Sequence, residues 1–85
     1  MDHQSPAQDM HELYRAVLDT VWRLERAGER EAAFRIRGQA LKVYSTRWDD
    51  GGRRAMVKIN HDAQRHLAAS PGAARAALAA SPEPS

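Results

Sequence analysis

Cysteine is absent from this chain, so neither a disulfide nor a thiolate metal site can form, and the redox compartment stays open. Aromatic residues are scarce: two Trp, two Tyr and one Phe, too few and too regular in their apolar pattern for a base-stacking platform. No apolar run approaches the ~20 residues of a membrane span. The N-terminal MDHQSPAQD has neither the basic nor the apolar part of a secretory signal. These absences lead to the expectation of a cytoplasmic protein with no membrane partner.

Motifs that carry chemistry are missing as well. His61 and His66 are five apart, roughly 140° around a helix, so they cannot share one ion. Asp62 and His66 have i, i+4 spacing but no third ligand, and His3 and His11 lie in or beside the N-terminal leader. Ser45 and Thr46 have no histidine at motif spacing, and neither Gly51-Gly52 nor Gly38 belongs to a phosphate-binding loop. The expectation is a non-enzyme with no catalytic residue, no cofactor and no metal.

What is present is helical periodicity and an uneven charge. Eighty-five residues make one domain at most, and Pro- and Ser-containing ends leave about 60 to fold around a small core. A core of that size raises the value of a homodimer, or of a partner that completes it. Residues 1–34 set four arginines against seven carboxylates, net −3, whereas residues 35–65 set eight cations against three, net +5. Such asymmetry steers an acidic partner toward one side, or is used inside the fold or across a dimer.

The pattern predicts an all-α three-helix bundle, an antiparallel helix hairpin plus a third helix, in residues 9–69. A disordered leader (1–8) and a flexible Ala/Pro/Ser-rich tail (70–85) flank it. In the first helix, near residues 10–27, Met10, Leu13, Tyr14, Val17, Val21 and Leu24 share one face, with Asp9 as N-cap and Glu12 completing a capping box. Leu18 and Trp22 stand at the edge of that stripe, where they either widen the core or form a patch for another chain. Gly28 suits the left-handed position after a helix.

The second helix, near residues 29–44, is apolar around roughly 200° of its circumference, twice the arc of an ordinary surface helix. Ala32, Ala33, Phe34, Ile36, Ala40, Leu41, Val43 and Tyr44 make up that arc. It reads as a helix packed on two sides, with Leu41 near the centre of the bundle. Arg37 points into the arc, either packing its stem while its head reaches water or a carboxylate, or offering a recessed guanidinium to a partner's carboxylate or phosphate. With Gly28 at the inter-helix turn and Ala33, Ala40 and Leu41 behind it, the hairpin over residues 14–43 resembles one tetratricopeptide repeat unit. It departs from that pattern at Val21 and Arg37, and no second copy follows. The likeness implies a shared way of packing two helices.

Residues 43–59 support two readings. As a helix start, Thr46 caps, Asp49 completes the box, and Trp48, Gly52, Ala55, Met56, Ile59, Ala63 and Leu67 form one stripe of a helix over 47–69. As a hairpin, Asp50-Gly51 turns between two alternating arms. The helix accounts for the longer stretch with one period and is preferred. It places Arg54, Lys58, His61 and Arg65 in a basic line opposite the stripe, either a solvated face or an array of cations for a phosphate backbone. Pro71 is able to open a short Ala-rich helix with Ser70 as cap.

Two functions follow. The first is a non-catalytic protein-interaction module, a homodimer or an adaptor, docking through edge residues Leu18, Trp22 and Val57. The alternative is a nucleic-acid-associated protein that contacts phosphates through the basic line, with Arg47 and Arg53 beside it.

Overall fold

The computed structural model describes residues 6–80, and over them the protein is all-helical: α1 (Pro6–Arg26), α2 (Arg30–Thr46), α3 (Asp50–Ala69) and α4 (Pro71–Ala80). The first three pack pairwise into a bundle, and α4 leans against α3 and α1. The core consists of Met10, Val17, Val21 and Leu24 from α1, Ala32, Ala33, Ile36 and Ala40 from α2, and Met56 and Ala63 from α3. Each large side chain among them contributes about 1.5–3 kcal/mol by leaving water, and the alanines let the helix axes approach.

α1 begins at Pro6, a residue whose fixed φ suits a first helical position. Asp9 is therefore not the cap. It lies in the first turn, and its carboxylate accepts a 2.7 Å bond from Arg53 Nε, tying α1 to α3. The leader expected over residues 1–8 is helical from residue 6; residues 1–5, like 81–85 of the expected tail, lie outside the described span.

The α1–α2 turn forms as Gly28 predicts. Gly28 has φ +87°, Glu29 N–H donates to the Leu24 carbonyl (2.9 Å) and Gly28 N–H to the Glu25 carbonyl (3.1 Å). These are the paired bonds of a helix end closed by a left-handed residue, and they send α2 back along α1.

The α2–α3 junction is helical on both sides, which removes the hairpin alternative. Thr46 is not the cap of α3: it ends α2, and its hydroxyl donates to the Lys42 carbonyl at 2.6 Å. Asp49 caps instead, accepting from Gly52 N–H at 2.8 Å. Trp48, expected on the α3 stripe, precedes that helix; its indole N–H donates to the Tyr44 carbonyl and its ring tilts against Tyr44. The adjacent glycines suit this junction. A Cβ on Gly52 would stand 2.0 Å from the Arg47 carbonyl oxygen, so only glycine allows α3 to start against the end of α2.

Residues 71–80, expected as part of a flexible tail, form α4. Its N-terminus is tied by Ser70, whose buried hydroxyl accepts from Ala73 N–H (3.1 Å) and donates to Glu29 Oε2 (3.0 Å). A Cβ on Gly72 would meet the Ala27 carbonyl oxygen at 2.0 Å, so the first turn of α4 rests on the end of α1.

Candidate interaction surface

Arg54, Lys58, His61 and Arg65 are all exposed, on the side of α3 directly opposite Gly52, Met56 and Ala63, which are buried. The expected line exists as a ridge of about 16 Å at 1.5 Å per residue. Among the described residues none of the four makes an ion pair; the pairs present are Arg23–Asp19 and Arg53–Asp9. Asp50, one turn before Arg54, and Asp62, three residues before Arg65, border the ridge and dilute its field.

The edge patch is only partly assembled. Trp22 is 55% exposed and Leu18 is half-buried one turn before it. Arg26 lies over the Trp22 ring at 4.9 Å, a cation–π contact that screens part of the indole from water. Val57, 43% exposed, belongs elsewhere. It follows Arg53 by one turn, and Arg53 is bound to Asp9 at the start of α1, about 20 Å of helix away from Trp22.

α2 corrects the largest expectation. It is packed on one side, not two: the buried positions Ala32, Ala33, Ile36 and Ala40, with half-buried Val43 and Tyr44, span about 120°. Phe34 is 80% exposed and Leu41 50% exposed on the other side of the arc. Leu41 is thus not central to the bundle. Arg37 is exposed as well and is not recessed, because Leu41 on one side of it faces outward while Tyr44 on the other turns in to stack on Tyr14.

These outward residues form a surface that reading the helices one at a time misses. Phe34, Gly38 and Leu41 follow i, i+4, i+7 spacing along the outside of α2. Trp22 and Phe34 line one shallow depression of about 510 Å³ together with Glu25, Arg26 and Arg30. On its other side Trp22 borders an apolar cleft of about 440 Å³ against Leu67, Ala68, Ala73 and Ala74. Trp22 and Phe34 are thus rimmed by Arg26, Arg30 and Glu25, and Leu41 stands two turns beyond Phe34 on the same side of α2. The signal in the sequence was the 200° arc itself, too wide for the neighbours that three helices provide.

At the opposite end, Tyr14 and Tyr44 stack with centroids 4.2 Å apart, and the Tyr44 hydroxyl lies 3.2 Å from His11 Nδ1. That cluster locks the α1–α2 hairpin. Among the described residues no three His, Cys, Asp or Glu side chains are placed to hold a metal ion, and no helix is long and apolar enough to cross a membrane. No protein-family model, curated protein or solved structure matches the chain. The reading of function rests on this surface.

Proposed function

We propose that the chain is a non-catalytic protein-interaction module that docks through the outer face of its α1–α2 hairpin. The observation that carries this reading is the outward placement of Phe34 and Leu41 on a helix whose inner face is already packed. Large exposed apolar side chains rimmed by charge mark association sites; Trp22 and Phe34 share one depression, and Leu41 stands two turns along α2 from Phe34. Leu18 and Trp22 extend the face onto α1, and Val57 is not part of it. A photo-crosslinking phenylalanine analogue at position 34, introduced into the full chain in its native cells, tests the reading. An adduct is expected at position 34 and not at Lys58 on α3, and Leu41→Glu should abolish it. Equal labelling at the two positions, or none at 34, would remove the reading.

A second reading keeps one supporting observation: the basic ridge on α3 is exposed along its whole length and unpaired among the described residues. Replacing Arg54, Lys58 and Arg65 with Gln should then flatten the slope of log K against log salt by roughly 2.7 for duplex binding. No binding by wild type at low salt would dismiss it.

A further inference from the structure

We infer that the occupant of the outer α2 face is a second copy of the same chain, paired through α2 running antiparallel to α2. This rests on the interaction-surface reading above and names its partner. Two copies related by a two-fold axis put like flanks of α2 side by side and run the helices in opposite directions. With the axis between Arg37 and Gly38, Phe34 of each copy lies across from Leu41 of the other, so one aromatic–aliphatic contact forms twice. Gly38 then lies at the crossing. Nothing stands within 4 Å of where its Cβ would be, so the backbone there is open to a second helix. A mid-helix glycine costs roughly 0.5–1 kcal/mol relative to alanine, a cost that close approach of another backbone offsets.

Charge supports the same register. Glu31 and Lys42 project from the flank of α2 that faces away from α1, about 20° apart around the axis. Both are exposed, and among the described residues neither is in an ion pair. Glu31 of one copy comes level with about position 44 of the other, less than a turn from its Lys42. Two symmetric Glu31–Lys42 pairs close that rim. On the α1 flank the two Arg37 side chains approach each other, a repulsion the dimer tolerates because both heads reach water. One helix pair with aromatic residues at its ends buries less than a full-sized interface, so the dimer is a weak one.

Sedimentation velocity of the purified full chain, from low micromolar to millimolar concentration, tests this, with helicity measured for every variant. Wild type should pass from monomer to dimer. Phe34→Glu should abolish the dimer. Glu31→Lys and Lys42→Glu should each weaken it about five- to tenfold, as expected for two rim pairs replaced by like charges. The double reversal should restore it, and Arg37→Ser should tighten it. A monomer at every concentration, or a double reversal no better than either single one, overturns the inference. The two readings fail separately: a monomer whose position-34 analogue still crosslinks a different protein keeps the interaction module and loses the second copy, whereas a monomer with no adduct loses both.

Discussion

The two sides of α2 invert the usual allocation of side-chain size. The inner side packs three alanines around Ile36, while the outer side exposes Phe34 and Leu41. Small residues inside let α2 approach α1 and α3 closely, and the small core then rests on Met10, Leu24, Met56 and Val17 from those neighbours. Large residues outside contribute little to the isolated fold, since their area stays wet. The difference separates two jobs on one helix. The inner face holds the bundle and the outer face is available to another molecule. Substitutions on either side should therefore change different observables.

The inner side should be the most sensitive. Ile36→Ala removes a buried branched side chain and should cost about 2–5 kcal/mol in thermal or denaturant unfolding, most of the stability of so small a domain. Gly52→Ala, which forces a Cβ onto the Arg47 carbonyl, should cost about 1–3 kcal/mol and lower the helicity of the first turn of α3. Ser70→Ala takes the cap from α4 and the hydroxyl donor from Glu29. It should cost roughly 1 kcal/mol, seen as faster amide exchange in residues 71–80. On the outer side Leu41→Ala should cost less than about 1 kcal/mol, because half of the side chain is already in water.

The smallest effect is a pH dependence at the α2–α3 junction. The bond from Gly52 N–H holds the Asp49 carboxyl below its ordinary value of 3.8, with Arg47 and Arg54 acting in the same direction and desolvation against them. A lowered folded-state pKa means stability that is present above the unfolded value and is lost as the pH falls through the folded one. The start of α3 should therefore fray only below about pH 3.8, and Asp49→Asn should flatten that dependence.

Much of the bundle was legible because it is local. The α1 stripe, the left-handed Gly28 and the period of α3 are encoded within a few residues of where they act. Asp49 and Thr46 are both capping residue types; Thr46 is taken up by the end of α2, where its hydroxyl donates to the Lys42 carbonyl, and Asp49 is left to cap α3. The start of α4 is legible in Pro71 and its cap Ser70, but its Ala-rich residues lack large anchors, and the bond that fixes it joins Ser70 to Glu29, 41 residues away. The basic ridge was legible in register, since spacing alone sets it. The outer face of α2 was not. A helical wheel tells which residues share a side, but not how many neighbours the fold supplies to cover them. Val57 failed for a related reason: its exposure was readable, but its distance from Trp22 depends on how α3 runs beside α1.

The most direct test of the division between the two faces is thermal melting of wild type and Phe34→Ser at two protein concentrations, dilute and concentrated. Association that buries the outer face stabilises the folded state by mass action. The wild-type midpoint should therefore rise with concentration, while Phe34→Ser should melt at the dilute wild-type temperature under both conditions. A Phe34→Ser variant that melts well below dilute wild type would place Phe34 in the core and contradict the account. So would a wild-type midpoint independent of concentration.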